Sequence, residues 1–143
     1  MTASLGDRLR LKPEMRVLLW RAPGGFSALL APLPDGLVLE TAPDGQYDAV
    51  IVCVASIAEA EQHSVAAAQA VKPNGIFWTC YPKKAGAIRT DITRDQGWSA
   101  LMAAGWGPVA QISVDDTWSA LRWRPESGVK RKDDSRFGTS RYE

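Results

Sequence analysis

Apolar residues form continuous and alternating runs along this chain, and the two patterns predict different kinds of strand. Residues 48–54 form an almost continuous apolar run, which predicts a strand buried on both faces of a parallel sheet. Residues 16–20, 37–40 and 76–81 are further apolar runs next to turn residues, and we predict a strand at each. Apolar and polar positions alternate over residues 110–124 around a short polar turn, which predicts an antiparallel hairpin.

Apolar residues at helical spacing lie between these strands. Residues 26–33 carry apolar positions at i, i+3, i+4 and i+7, which predicts a short helix that the neighbouring prolines end. Ser56 and Glu59 have the spacing of a capping box, in which each side chain accepts a hydrogen bond from the first backbone N–H groups of a helix. We therefore predict a helix from Ser56 to about Val71, with small residues on the face toward the sheet.

A second capping box is formed by Thr93 and Gln96, and it predicts another helix that ends near Gly105. Apolar residues of this segment recur at helical spacing, so we expect them to face the core. These residues are Trp98, Leu101 and Met102.

The predicted elements follow the order β-α-β-β-α-β-α-β-β. Strands that alternate with helices indicate an α/β fold with a mostly parallel, Rossmann-like sheet, to which the hairpin adds an antiparallel end. Residues 1–125 have the size of one domain. Residues 126–143 contain many charges and few large apolar side chains, so we predict that this segment is a disordered charged tail.

Charge and composition exclude several classes of function. The chain has 17 basic and 16 acidic residues, and residues 1–125 carry as many of one sign as of the other, so we expect no nucleic acid and no membrane as partner. A single histidine and two distant cysteines do not predict a metal site. Cys53 and Cys80 lie within apolar runs and are typical of reduced core residues, which predicts a cytoplasmic location. The sequence leaves open whether the protein is a monomer or a homo-oligomer.

Three segments together resemble the S-adenosylmethionine-dependent methyltransferase domain. One is Tyr-Asp-Ala-Val-Ile-Val at residues 47–52, and the second is Val-Lys-Pro-Asn-Gly at residues 71–75, which leads into a strand. The third is Ala-Ala-Gly-Trp at residues 103–106, before the hairpin. The resemblance covers about residues 14–125, and it implies a Rossmann-like, methyltransferase-type fold with S-adenosylmethionine as the expected cofactor.

Two further segments look closer still to a family of short bacterial proteins built on this fold. They are Tyr-Pro-Lys-Lys at residues 81–84 and Asp-Thr-Trp-Ser-Ala-Leu-Arg at residues 116–122. No reaction is assigned to these relatives, so the resemblance implies a fold and leaves the activity open.

The adenosine-binding region is shorter here than the resemblance implies. Only residues 41–47 separate the second strand from the third, which leaves no room for the helix and strand that usually complete the adenosine pocket. The first loop, residues 20–25, contains no acidic residue and only two glycines. Glu40 ends the second strand, where the resemblance places a ribose-binding carboxylate, although a solvated strand end is the plainer interpretation.

Candidate ligand-binding residues follow two of the predicted parallel strands. Gly24 and Gly25 come after the first strand, at the carboxyl edge where open α/β sheets bind ligands. Lys83 and Lys84 come after the strand at 76–81 and are expected at the same edge, where their ammonium groups suit a phosphate or carboxylate. Asp91 is placed to position one of these lysines. A tight turn and a solvated loop are the structural alternatives.

The terminal hairpin supplies the remaining candidates, which are Asp116, Trp118 and Arg122. Trp118 and Arg122 are four residues apart on a strand and share a face, so an indole and a guanidinium are available to stack on a planar ligand. The same pair would equally close the edge of the sheet.

The sequence therefore predicts a small cytoplasmic domain of methyltransferase type that binds a small anionic ligand or a partner without catalysis. The alternative is an S-adenosylmethionine-dependent methyltransferase with an unidentified substrate. The shortened adenosine region and the first loop without an acidic residue favour the non-catalytic module.

Overall fold

Six strands form one sheet in the computed structural model, which describes residues 4–84 and 86–126. In chain order the strands are β1 (Arg16–Trp20), β2 (Val38–Glu40), β3 (Tyr47–Cys53), β4 (Val71–Pro82), β5 (Trp106–Ser113) and β6 (Trp118–Pro125). Their order across the sheet is β2-β1-β3-β4-β6-β5. The predicted strands are thus confirmed, although β4 and β5 begin earlier than their apolar runs.

The first four strands are parallel, and the last two are antiparallel to their neighbours. Cys53 of β3 pairs with Cys80 of β4, and Trp78 of β4 pairs with Arg122 of β6. The predicted α/β sheet with an antiparallel end is therefore confirmed. Residues 41–46 alone connect β2 to β3, which confirms the short connection, and β2 lies at one edge of the sheet.

Helix α2 (Ile57–Gln69) begins at the predicted capping residue. The Ser56 hydroxyl oxygen accepts a hydrogen bond from the Glu59 N–H at 3.1 Å. The Glu59 carboxylate accepts from the Ala55 N–H at 2.9 Å, one residue before the position that a standard capping box uses. Its buried face consists of small residues, namely Ala60, Ser64, Ala67 and Ala68.

Both faces of the sheet are covered, which explains the continuous apolar runs of β3 and β4. Helix α2 and helix α3 (Ser99–Ala103) pack on one face with Val50, Val52 and Phe77. On the other face lie helix α1 (Leu5–Arg8), the segment after it and a short 3-10 helix (Ser27–Leu30). No described helix is long and apolar enough to cross a membrane.

Three predictions about helices need correction. Within the predicted helix of residues 26–33, Ser27–Leu30 form a single turn of 3-10 helix, because the backbone is already extended at Ala31. The Thr93 hydroxyl accepts from the Gln96 N–H at 3.1 Å, but the turn ends at Gly97, whose φ is +116°, and α3 begins only at Ser99. Met102 is exposed, because it lies about 100° around α3 from the buried Leu101.

The predicted tail begins at residue 126, and residues 127–143 lie outside the described part of the chain. Its disorder stays a prediction.

Candidate functional site

A cleft opens at the carboxyl ends of β1 and β2. It lies beside the loop that contains Gly24 and Gly25, which is called the glycine loop below. Its volume is about 330 Å³, at the lower end of the range for small-ligand pockets. The lining comes from the end of β1, the loop that follows and the residue after β2. The lining residues are Leu19, Arg21, Ala22, Pro23, Gly24, Gly25, Ser27 and Thr41.

The loop at this cleft is folded by local hydrogen bonds. The Phe26 N–H donates to the Pro23 carbonyl at 3.1 Å, and the Ala28 N–H donates to the Gly25 carbonyl at 3.2 Å. Gly25 has a φ of +88°, which glycine adopts without strain. Within the described part of the chain, a Cβ placed on Gly24 or Gly25 would meet no atom within 4 Å, so the backbone here is open to a ligand.

A second cleft, of about 200 Å³, lies on the other side of the same loop. It extends from Gly24 and Gly25 to the turn between β5 and β6. Trp118 forms one wall, and its ring meets the Phe26 ring edge-on at a centroid distance of 5.9 Å. Asp115 also lines this cleft, but its Oδ1 accepts hydrogen bonds from the Thr117 and Trp118 N–H groups and so shapes the turn.

Glu40 is held by side chains that lie away from the first cleft. Its two carboxylate oxygens accept from Nε and Nη2 of Arg16 at 3.0 and 2.9 Å, and the Tyr47 hydroxyl donates to Oε1 at 2.8 Å. The Arg16 guanidinium also lies over the Tyr47 ring, 4.1 Å from its centroid. The ribose-binding role stays a prediction, and the observed contacts give Glu40 a structural role.

The ionisation of this cluster follows from its contacts. Hydrogen bonds from Arg16 and Tyr47 lower the pKa of Glu40 below its ordinary value of 4.5. The hydrogen bond to Glu40 raises the pKa of Arg16. Burial and the hydrogen bond to Glu40 raise the pKa of Tyr47. Together these shifts keep the ion pair charged near neutral pH.

We expect Glu40→Gln to lower the melting temperature near neutral pH and to lose this effect in acid. Folding lowers the pKa of Glu40, so its ion pair stabilises the protein above pH 4.5. This stabilisation is lost as the pH falls through the pKa that Glu40 has in the folded protein. Thermal unfolding from about pH 7 to about pH 3 measures this change. Glu61→Gln, at an exposed position of α2, is the control. A difference between wild type and Glu40→Gln that stays constant with pH would contradict the expectation.

The predicted lysines reach the carboxyl edge of the sheet but line neither cleft. Lys83 Nζ donates to the Ser113 hydroxyl at 2.6 Å, and Lys84 Nζ donates to the Thr90 carbonyl at 3.2 Å. Asp91 does not position a lysine as expected, because its Oδ1 accepts from the Ile57 N–H at the start of α2. A lysine-bound anion at this edge stays a prediction.

The hairpin candidates are spread along the sheet. Trp118 lies at the carboxyl edge, whereas Arg122 lies four residues along β6, about 13 Å away at the usual rise of a strand. They share a face as predicted, but one planar ligand cannot stack on both. Asp116 is exposed in the turn between β5 and β6.

Arg21 is the lining residue that the sequence interpretation missed. It follows β1 directly and has a φ of +62°, and it is the cation among the residues that line the first cleft. Its place in the first loop, three residues before Gly24, was the available signal. Among residues 4–84 and 86–126, no group of three His, Cys, Asp or Glu side chains is arranged to hold a metal.

Comparisons with known proteins identify the fold. No family model and no curated protein matches the sequence. The structure described as a DhpI–SAH complex matches with a TM-score of 0.57 and 17% identity, over 85% of this chain and 82% of that one. A SAM-dependent methyltransferase from Aquifex aeolicus matches with a TM-score of 0.55 and 14% identity, over 83% of this chain and 86% of that one. A ribosomal protein L11 methylase from Lactobacillus delbrueckii subsp. bulgaricus matches with a TM-score of 0.55 and 12% identity, over 85% of this chain and 75% of that one.

These matches confirm the resemblance to the methyltransferase fold. Identities of this size show the fold alone, because one fold carries many activities. The closer resemblance to a family of short bacterial proteins stays a prediction.

Proposed function

We propose that this protein is a non-catalytic module that binds a small anionic ligand in the first cleft, at the carboxyl ends of β1 and β2. The observation that carries the proposal is the charge of the lining. Arg21 is the cation of this cleft, and none of the eight lining residues is a carboxylate. A guanidinium that meets no opposing charge within the cleft favours a phosphate or carboxylate.

The loop supports the same proposal. Gly24 and Gly25 expose backbone without a Cβ, so a ligand can reach their N–H groups beside Arg21. An anionic group held there would receive donors from both the backbone and the guanidinium.

The structural role of Glu40 weighs against methyl transfer from S-adenosylmethionine. That cofactor carries a sulfonium, an ammonium and ribose hydroxyls, all of which are bound well by carboxylate oxygens. Both oxygens of Glu40 already accept hydrogen bonds from Arg16. Among its lining residues the first cleft therefore offers a cation to the carboxylate of this cofactor but no carboxylate to its sulfonium and ammonium.

An S-adenosylmethionine-dependent methyltransferase is the second candidate. It is favoured by the structures of similar fold that are described as a DhpI–SAH complex and a DhpI–SAM–HEP complex. S-adenosylmethionine is therefore the first cofactor to test.

We also propose a cytoplasmic location. Cys53 and Cys80 are buried free thiols on neighbouring strands, which suits a reducing compartment. The absence of nucleic-acid and membrane partners, and the oligomeric state, stay predictions.

Calorimetric titration with inorganic phosphate, citrate and AMP, with adenosine as the uncharged control, tests the proposed function. We expect at least one of the anions to bind and adenosine to bind more weakly than AMP. Arg21→Gln should weaken the binding by about ten- to a hundredfold, the range for a hydrogen bond to a charged group. Arg94→Gln makes the same change of charge at an exposed site and should leave the affinity unchanged.

Two results would contradict the proposal. One is that none of the three anions binds, and the other is that Arg21→Gln binds them as wild type does. Saturable binding of S-adenosylmethionine at micromolar concentration, with methyl transfer to an added substrate, would instead support the second candidate.

A further inference from the structure

Three arginines lie together on the sheet, away from the first cleft. Arg122 and Arg124 are two residues apart on β6 and therefore share a face. Arg122 pairs with Trp78 of β4, whose indole N–H donates to the Leu9 carbonyl at 2.9 Å. This contact places Arg10, the next residue, over the same part of the sheet. Arg10, Arg122 and Arg124 are called the arginine cluster below.

Among the described residues, no ion pair balances the charges of the arginine cluster. The ion pairs between described side chains involve Arg16, Lys72 and Arg94, and none involves the cluster. Burial lowers the pKa of Arg122, and so do the positive charges of Arg10 and Arg124.

Two donors of the cluster also have no partner among the described residues. The Nε atoms of Arg122 and Arg124 are buried and make no hydrogen bond within residues 4–84 and 86–126. A buried donor without a partner and adjacent like charges both cost stability. Ala110, which lies opposite Arg122 on β5, is exposed, so the edge of the cluster is open to solvent.

We propose that the arginine cluster binds a diphosphate group, as free pyrophosphate or as part of a nucleotide. Guanidinium groups bind phosphate oxygens in a bidentate manner, and three of them suit a multiply charged anion. Arg122 and Arg124 are spaced by about 7 Å along the strand, which fits two linked phosphates better than one carboxylate. The bound anion would balance the positive charges of the cluster.

Calorimetric titration of the full chain with pyrophosphate, at constant ionic strength, tests this site. We expect wild type to bind, and Arg122→Gln and Arg10→Gln each to bind at least about tenfold more weakly, the loss of one charged hydrogen bond. Arg10 is exposed, so Arg10→Gln should not lower the melting temperature of the free protein. Arg94→Gln, on the loop that packs against the opposite face, should bind as wild type does.

The two possible sources of the diphosphate are separated by a titration with ADP. Tighter binding of ADP than of pyrophosphate identifies a nucleotide, and weaker binding identifies the free anion; both results support the site. Arg21→Gln should retain the binding of pyrophosphate, so failure of the first cleft and failure of the arginine cluster are distinguishable.

Three results would overturn the proposal. They are an absence of pyrophosphate binding by wild type, equal affinities of Arg122→Gln and Arg94→Gln, and tighter binding of a single-stranded RNA through the same arginines.

Discussion

Trp78→Ala is expected to lower the free energy of unfolding by about 3–5 kcal/mol, the usual cost of truncating a fully buried tryptophan. Trp78 lies at the centre of the sheet on β4 and is 1% exposed. It packs with Leu9 and Leu11, so its loss leaves a cavity beneath the amino-terminal segment. Urea denaturation followed by far-UV circular dichroism measures the change.

Trp78→Phe separates the two contributions of this side chain. Phenylalanine keeps most of the buried area but removes the indole N–H, and the Leu9 carbonyl loses a buried hydrogen bond of 2.9 Å. We expect a cost of about 1–3 kcal/mol, that of leaving a buried acceptor unpaired. Faster hydrogen exchange of the Leu9 and Leu11 amides in both variants would show that Trp78 anchors the segment. Equal costs for the two variants would contradict this division.

The sequence predicted the strands well because burial on two faces leaves a direct pattern. The apolar runs of β3 and β4 contain almost no polar residue, and only a sheet covered on both faces accommodates them. The start of α2 was equally predictable, because the Ser56 cap is a local interaction between residues three positions apart. Patterns that depend on near neighbours can be read from the chain.

The site was predicted only as far as the topology determines it. Parallel strands end at the same edge, so the glycine loop and the two lysines were placed on the correct edge of the sheet. The partners of individual side chains were not predictable, because they come from distant segments. Glu40 contacts Arg16, 24 residues away, and Asp91 contacts Ile57, 34 residues away.

The helix predicted from Thr93 shows how a correct local interaction led to a wrong element. The Thr93 hydroxyl does accept from the Gln96 N–H, as a capping residue would. The helix does not continue because Gly97 has a φ of +116°, a conformation that turns the chain so that Trp98 enters the core. Trp98 then donates to the Thr93 carbonyl at 2.8 Å, which closes the turn.

Gly97→Ala is therefore expected to be among the most harmful small substitutions in this chain. An alanine Cβ would lie 2.8 Å from Cγ1 of Ile92 and 3.2 Å from Cγ1 of Ile57, and Ile92 is fully buried. Backbone strain of about 1–2 kcal/mol adds to a cost of about 1–3 kcal/mol for overpacking, so we expect a loss of about 2–5 kcal/mol. Urea denaturation measures the sum.

Gly105→Ala isolates the backbone contribution. Gly105 has a comparable φ of +96°, but a Cβ there would meet no atom of the described residues within 4 Å. Gly105→Ala should therefore cost only the strain, about 1–2 kcal/mol, and less than Gly97→Ala. If the two variants are destabilised equally, the close approach of Ile92 is not what requires glycine at position 97. A larger cost at Gly97 would show that the close approach of Ile92 and Ile57 requires glycine at this position.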